Sequence, residues 1–544
     1  KFIYWNKTKV LNAMKKCNSR NEFKNKYNGA YSWAKTNNCR EKLYKKAGRQ
    51  AWEAIVPIYN AVILMRIIGR PWWWTILLFI PIVNLIMFPV IWVETLRSFG
   101  KNSSLDTWLG ILTLGFYIYY VNYTQDVKHI KDRSIKPKTT VGEWVSSILF
   151  AVVAATIVHG YFMQPFTIPT SSLEKTLLVG DYLFVSKFHY GARIPQTPIA
   201  FPMVHDTIPG IGIKSYLSEP QIPYFRLPGF EKVKKNDIVV FNWPVDTVNA
   251  FHQYGDGKYY HKPIDKKSNY VKRCVATPGD SLEIIAGKIH INGQPLQLSE
   301  RAKPQYSYQG TTNGQELTPQ YMYQMYDITD GFYYNKATNE FIISALPEEA
   351  EERLKNNPYI KTLERRVYPE DQKTASLFPN DKKKRYNLDY FGPIYIPEAG
   401  KTVKITPESL PYYRRIIEVY EGSEMGIDNK ISLNGTQVLL NGQPFDSYTF
   451  KQDYYWMMGD NRHNSEDSRS WGYVPYNHVV GKPVFIWFSK DKYASGFLDG
   501  IRWDRMFTTV KGEGKPVSYL PYFLILLVIF FGFNYFRKRK KSDS

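Results

Sequence analysis

Long apolar runs constrain this chain more than any other feature of its sequence. Two of them, 144–163 and 519–536, have the length of a membrane-spanning helix, about 20 residues. Two others, 72–93 and 107–123, are also strongly apolar, although the first contains two prolines and the second is short and rich in aromatic rings. These runs predict about four transmembrane α-helices, three before and one after a long polar region.

Basic residues predict how these spans are oriented. Residues 1–50 hold 14 Lys/Arg against 2 acids, within a net charge of +22 for the whole chain. Because cytoplasmic loops are enriched in Lys and Arg, the arm 1–51, the loop 126–143 and the tail 537–544 are expected on the cytoplasmic side. A basic arm also suits nucleic acid, but the apolar runs that follow it favour a membrane surface.

The apolar stretch 52–68 does not fit this orientation as a further span, because counting it would export the basic arm. It is therefore expected to be an interfacial or re-entrant helix within an N-terminal membrane region, 52–125. The three cysteines, Cys17, Cys39 and Cys274, cannot form a disulfide framework. Cys274 is expected to be a small buried strand residue.

The long region between the last two spans has the pattern of β-structure. Short β-branched and aromatic runs alternate with turn residues, and two Asn-Gly pairs, at 292–293 and 441–442, predict hairpin turns. The region 281–450 is richer in Tyr, Lys, Glu and Asn. We therefore expect a mostly β catalytic domain in two parts, 166–280 and 451–515, interrupted by a β-rich insertion domain, 281–450.

Two separate motifs carry candidate catalytic groups. The stretch 168–181 (IPTSSLEKTLLVGD) contains Ser172, and a serine hydroxyl needs a base to act as a nucleophile at neutral pH. The stretch 270–280 (YVKRCVATPGD) contains Lys272, which strand alternation places on one face with Tyr270 and Cys274. Burial there would lower its pKa from about 10.4 towards the 7–8 that a lysine base requires. Arg273 cannot serve as a base because it keeps its proton.

A third motif, 459–472 (GDNRHNSEDSRSWG), is dense in glycine and polar residues, which predicts an ordered, hydrogen-bonded loop. Taken singly, the motifs are better explained by plain turns and by a lysine at a strand edge with its charge in water. Together, and in this order after a membrane span, they resemble the motifs of bacterial type I signal peptidases (leader peptidases). These are membrane serine proteases that use a Ser/Lys dyad.

The resemblance implies a role for each matching residue. Ser172 matches the nucleophile and Lys272 the general base. Ser172 and Thr170 match the oxyanion hole, which binds the negative oxygen of the intermediate. The supporting positions are a hydroxyl that orients the lysine, a small residue packed against it and a charged pair that shapes the site: Ser465, Gly459, Asp467 and Arg469.

The sequence departs from the family pattern beside the nucleophile. The family usually has Met directly after the serine and often Pro two residues later, whereas this chain has Leu173, Glu174 and Lys175. The third motif has His463 where an acid is common. A Ser–His–Asp triad is disfavoured because the chain lacks a G-x-S-x-G turn.

The family also implies partners and a location. Substrates would be signal peptides of exported preproteins with small residues at the first and third positions before the cut. The other expected partners are membrane lipids and possible contacts with the secretion translocon; neither nucleic acid nor a metal or other cofactor is expected. The catalytic domain would lie on the outer, periplasmic side of the cytoplasmic membrane. A non-enzymatic scaffold and a Ser–Lys protease dedicated to one substrate stay open as alternatives.

Overall fold

The structure is a computed structural model, and its described residues are 43–137, 139–248, 260–374, 376–381, 383–491, 494, 496, 498–512 and 514–542. Most of the predicted basic arm, together with Cys17, Cys39, Lys138 and the end of the basic tail, lies outside them. The chain divides into two compact units. The first comprises 43–157, 198–204 and 215–220; the second comprises 158–197, 205–214 and 221–542.

The first unit is helical. A 3-10 turn, Ala51–Ala54, precedes six helices: α1 Tyr59–Ile67, α2 Trp74–Leu77, α3 Val83–Ser98, α4 Ser104–Leu112, α5 Phe116–Thr124 and α6 Thr140–Ile157. Helix α4 begins at a capping box, in which the Ser103 hydroxyl accepts the Asp106 N–H and the Asp106 carboxylate accepts the Ser103 N–H. These reciprocal bonds satisfy amide groups that the first helical turn leaves unpaired.

The structure breaks two of the predicted spans into shorter helices. The run 72–93 forms α2 and the start of α3, separated at Pro81 and at Ile82, whose φ is 69°. The run 107–123 forms parts of α4 and α5, separated at Leu114 and Gly115, which also have positive φ. A residue with positive φ cannot continue a right-handed helix, so hydropathy alone overestimated the length of these segments.

Within the described residues, two helices are long and apolar enough to cross a membrane. They are Thr140–Phe162, which includes α6, and Leu520–Arg537. The predicted interfacial segment 52–68 is the 3-10 turn followed by α1, with Ile58 at a φ of 65° between them.

The second unit is built on an eight-stranded sheet. Its strands are β1 Met163–Thr167, β2 Asp181–Ser186, β3 Ile238–Asn242, β4 Asn269–Ala276, β18 Tyr454–Met458, β19 Val474–Pro475, β20 Val479–Ser489 and β21 Thr508–Thr509. They follow the order β1-β2-β20-β3-β4-β18-β19, in which β21 also pairs with β20. All of these pairings are antiparallel. Residues far apart in sequence therefore become neighbours at β4.

The two faces of this sheet pack into separate cores. On β4, Tyr270 and Cys274 join one cluster with Phe241 and Met457, whereas Val271 joins another. The alternation predicted for this strand is thus confirmed, and Cys274 is fully buried as expected.

Between β4 and β18 the chain forms four smaller sheets. Their strands are β5 Ser281–Ile285, β6 Lys288–Ile291, β7 Gln294–Pro295, β8 Gln305–Thr312, β9 Phe332–Asn335, β10 Glu340–Pro347, β11 Ile360–Arg365, β12 Phe391–Tyr395, β13 Thr402–Lys404, β14 Ile431–Asn434, β15 Gln437–Leu440, β16 Gln443–Pro444 and β17 Ser447–Thr449. The remaining helices are α7 Pro319–Tyr326, α8 Glu348–Lys355, α9 Leu410–Arg415, α10 Ser468–Trp471 and α11 Leu520–Ser542.

One of these sheets, β11-β8-β10-β9, packs with α7 and α8 around its own core. We call residues 303–365 the side subdomain. Both predicted Asn-Gly turns are confirmed: they join β6 to β7 and β15 to β16, and all four of their residues have positive φ, as a type I′ turn requires.

Candidate active site

Ser172 lies on a tight turn that leaves the edge of the main sheet. After β1, a single 3-10 turn runs from Ser171 to Leu173. The Leu173 side chain is buried in the core and anchors the turn. Ser172 itself is 8% exposed, and its carbonyl accepts the Asn461 N–H at 3.1 Å. The turn thus holds the serine against the polar loop that follows β18.

Lys272 reaches this turn from the central strand β4. Its Nζ donates a hydrogen bond to Ser172 Oγ at 2.7 Å. The side chain is 3% exposed, and Nζ lies 5.3 Å from the centre of the Tyr270 ring. Among the described residues, no carboxylate forms an ion pair with this ammonium. In the described part of the chain, the Ser172 hydroxyl is the hydrogen-bond partner of Lys272 Nζ.

Burial changes the acidity of this lysine. Desolvation lowers the pKa of Lys272 to about 8, although the nearby charges of Asp467 and Glu466 oppose the change. A pKa lowered by this much means that burial stabilises the neutral form relative to the charged form by roughly 3 kcal/mol. A fraction on the order of a tenth is then neutral at pH 7, and it can accept a proton from the serine.

The predicted charged pair is buried beside the dyad. Arg469 donates through Nε to Asp467 Oδ1 at 2.9 Å and through Nη2 to Oδ2 at 2.8 Å. Asp467 also accepts the Gly459 N–H at 3.1 Å. Burial by itself would raise the pKa of Asp467, but the charge and hydrogen bonds of Arg469 outweigh burial and lower it. The carboxylate is thus ionised and fully engaged by Arg469.

Gly459 leaves room for the serine and for the loop opposite it. A Cβ atom on Gly459 would lie 2.5 Å from the Ser172 carbonyl oxygen and 2.2 Å from Ser465 Oγ. Ser465 therefore packs directly against Gly459. Its Oγ is buried and has no hydrogen-bond partner among the described residues. The predicted bond that would orient Lys272 is not present in this structure.

Thr170 stands at the start of the turn in an extended conformation. Its side chain is exposed and makes no capping hydrogen bond. The structure thus places all seven predicted site residues on the turn and the residue before it, on β4, on the polar loop and on the start of α10: Ser172, Lys272, Thr170, Ser465, Gly459, Asp467 and Arg469.

Arg273 and Asp460, a pairing that the sequence did not predict, form a second buried ion pair beside the site. Arg273, on the opposite face of β4, donates to both oxygens of Asp460 at 2.8 and 2.7 Å. The Thr176 hydroxyl donates to the same carboxylate at 2.6 Å. Strand alternation in the sequence already places Arg273 on the face opposite Lys272. A buried guanidinium requires an acidic partner, so such a pair could be expected from the sequence, but Asp460 could not be identified as the partner.

The site has no arrangement suited to a metal among the residues that the structure describes. In those ranges, no three or more His, Cys, Asp and Glu side chains are grouped to hold an ion. What the geometry does offer is a serine hydroxyl at hydrogen-bond distance from a buried lysine of lowered pKa. That arrangement is the one that a serine hydrolase with a lysine base requires.

Comparison with known proteins agrees with this class. The family model described as signal peptidase, peptidase S26, matches residues 141–339 and 360–488. A separate model, for a family of unknown function (DUF5684), matches residues 52–132. The chain therefore belongs to the signal peptidase family, peptidase S26, whose members are serine endopeptidases.

Curated relatives cover most of the chain at low identity. A signal peptidase I of Helicobacter pylori (strain J99) is 25% identical over 390 residues, which are 69% of this chain and 93% of the relative. A signal peptidase I of Haemophilus influenzae is 24% identical over 396 residues, 69% of this chain and 78% of the relative. That of Buchnera aphidicola subsp. Schizaphis graminum is 24% identical over 362 residues, covering 66% and 80%.

Proposed function

We propose that this protein is a type I signal peptidase that cleaves signal peptides from exported preproteins through a Ser172–Lys272 dyad. The observation that carries the proposal is the 2.7 Å bond between Lys272 Nζ and Ser172 Oγ, made by a buried lysine whose pKa is lowered to about 8. The family match and the relatives named above support the type of substrate.

In the proposed reaction, neutral Lys272 accepts the hydroxyl proton as Ser172 Oγ attacks the carbonyl carbon of the scissile peptide bond. The Ser172 N–H and the Thr170 hydroxyl stabilise the oxyanion. Charged Lys272 then gives its proton to the leaving amine, which releases the mature protein and leaves an acyl-enzyme. A water molecule, deprotonated by Lys272, attacks this ester and frees the signal peptide.

The signal peptide would bind as an extended strand beside the Ser172 turn and β4, with main-chain hydrogen bonds that any sequence can make. Small side chains at the first and third positions before the cut would then fit shallow pockets next to Ser172. Gly459 supports a tight site, because no side chain larger than hydrogen fits between Ser172 and Ser465.

Membrane anchoring would place this site where signal peptides emerge. The two long apolar helices, Thr140–Phe162 and Leu520–Arg537, flank the catalytic strands in sequence. Exposed apolar side chains on the shorter helices of the first unit, such as Leu112 and Phe116, support their contact with lipid as well. We propose a multi-pass protein of the cytoplasmic membrane with the catalytic unit on the outer side.

The test is to incubate the detergent-solubilised full chain with several unrelated preproteins and to sequence the new N-termini. Cleavage after a small residue at the end of each signal peptide is expected, and Ser172→Ala protein should leave every precursor intact. Cleavage of one precursor alone would instead indicate a dedicated protease. Equal processing by Ser172→Ala protein would refute the proposed nucleophile.

A further inference from the structure

In the loop that follows Ser172, the backbone at Lys175 has a conformation that proline, the residue common at this position in the family, cannot adopt. Lys175 has a φ of 70°, in the left-handed region that L-residues other than glycine rarely adopt. Proline is held at a φ of about −65°, so the proline common at this place in the family could not adopt this conformation. A conformation of this kind persists only where neighbouring groups hold it.

The side subdomain supplies such a group. Lys175 Nζ forms an ion pair with Asp327 Oδ2 at 2.9 Å, and the Lys175 side chain is only 9% exposed. Asp327 directly follows α7, where its N–H bonds to the Tyr323 carbonyl at 2.8 Å. Its backbone is thus fixed at a helix end, and its side chain, 68% exposed, reaches Lys175 from there.

Gln305, at the start of β8, reinforces the same attachment. It is 1% exposed, and its Nε2 donates to the Glu174 carbonyl at 2.7 Å. Its main-chain N–H donates to the Asp460 carbonyl at 2.8 Å, and its carbonyl accepts the Arg462 N–H at 3.1 Å. One residue of the side subdomain therefore joins the nucleophile loop to the polar loop.

Asp330 makes a third connection. Its Oδ2 accepts hydrogen bonds from the Nδ2 atoms of Asn461 and Asn464, each at 3.1 Å. The same two amides lie within bonding distance of Ser171, at its carbonyl oxygen (3.3 Å) and its Oγ (3.1 Å). Ser171, directly before the nucleophile, and Lys175, three residues after it, are thus both linked to one short segment, 327–330.

From these contacts we infer that Asp327 is a positioning residue: through Lys175, the side subdomain holds Ser172 at bonding distance from Lys272. The inference rests on the proposed function for its effect on catalysis. It also explains the departure at Lys175, because a lysine can pair with Asp327 whereas a proline cannot. Misplacing a reacting group by about 1 Å can cost on the order of a hundredfold in rate, so a loop held by an ion pair is sensitive to that pair.

A charge swap tests this inference in the full chain. Asp327→Ala and Lys175→Asp should each lower kcat for preprotein cleavage by roughly tenfold, with KM changed by less than about twofold, because Ser172 moves while most substrate contacts stay. The double variant Lys175→Asp/Asp327→Lys restores an ion pair of opposite sense and should recover most of kcat. Glu316→Ala, which removes an exposed ion pair with Lys336 in the same subdomain, is the matched control and should leave kcat unchanged.

Hydrogen exchange gives a readout that does not depend on activity. Amides of residues 171–178 should exchange faster in either single variant and return to the wild-type rate in the swap. Wild-type kcat and exchange in Asp327→Ala protein, or a swap no better than its single variants, would overturn the inference. If wild-type protein cleaved no preprotein, the proposed function would fall, and the exchange pattern would still decide whether Asp327 holds the loop.

Discussion

Lys272 and Arg273 are consecutive residues of β4 that are almost equally buried, but their pKa values shift in opposite directions. Their side chains are 3% and 2% exposed. Lys272 meets a hydroxyl, and burial lowers its pKa to about 8. For Arg273 burial also acts to lower the pKa, but the charge and hydrogen bonds of Asp460 outweigh it and raise the pKa. Burial is common to both residues, but a guanidinium keeps its proton whatever its surroundings, and Asp460 stabilises that charge. Lys272 has no bonded carboxylate among the described residues, so burial shifts its pKa towards neutral pH.

The position of Arg469 explains why Asp467 does not hold the pKa of Lys272 at its ordinary value. Asp467 lies close enough to raise the pKa of Lys272, but both of its oxygens are occupied by Arg469. The guanidinium also acts to lower the pKa of Lys272. Each face of the strand thus has its own acid, and the acid on the catalytic face is neutralised by another residue.

The largest effect should come from removing Lys272, the proposed base. Lys272→Ala should reduce kcat/KM for a preprotein by roughly 10⁴-fold, equivalent to about 5.5 kcal/mol of transition-state stabilisation, because among the described side chains Lys272 is the one bonded to Ser172 Oγ. The thermal midpoint should stay near that of the wild type, since a buried charge-bearing group is lost without leaving an unpaired acid. Retained processing would show that Lys272 is not the base.

Arg273→Ala should act on stability instead. It leaves Asp460 buried without its cation, which typically costs about 3–5 kcal/mol. Thermal unfolding in detergent should show a clear drop, measured against Lys272→Ala as the neighbouring control. If Arg273→Ala protein were as stable as the wild type, the contrast between the two faces would have no energetic basis.

Gly459→Ala should damage the site with less effect on the fold. The added methyl group would lie 2.5 Å from the Ser172 carbonyl, so the nucleophile turn must shift. A shift of this size should lower kcat by on the order of a hundredfold. Steady-state kinetics on one precursor measures it, and an unchanged kcat would mean that the turn adapts without moving Ser172 Oγ.

Ser465→Ala should have the smallest effect. Ser465 Oγ has no hydrogen-bond partner among the described residues, so its removal leaves no described group unpaired. We expect kcat to fall by roughly tenfold at most, the value of one modest hydrogen bond formed during the reaction. A loss as large as that of Lys272→Ala would assign Ser465 a direct role in proton transfer.

The sequence indicated which candidate residues lie together better than it indicated the groups that hold them in place. Strand alternation placed Lys272 and Cys274 on one face, and the motif resemblance selected Ser172. The partner of Arg273 could not be read in the same way, because Asp460 lies 187 positions further along the chain. Pairings of this kind depend on how the sheet closes, which local patterns do not specify.

The helix breaks in the first unit and the conformation of Lys175 also escaped sequence patterns, because they depend on backbone geometry and on distant parts of the chain. Hydropathy measures composition over a window, so it did not detect the helix breaks at Ile82 and Leu114, where the backbone has positive φ. Lys175 stood out in the sequence only as a departure from the family. Its backbone conformation and its pairing with Asp327 follow from the placement of the side subdomain.

The most direct measurement is the pH dependence of kcat/KM for the wild-type protein on one preprotein. Lysine acts as a base only when neutral, so kcat/KM should rise about tenfold per pH unit at low pH and level off above an apparent pKa of about 8. A profile that keeps rising to about pH 10.4, the ordinary lysine value, would contradict the claim that burial makes Lys272 a base.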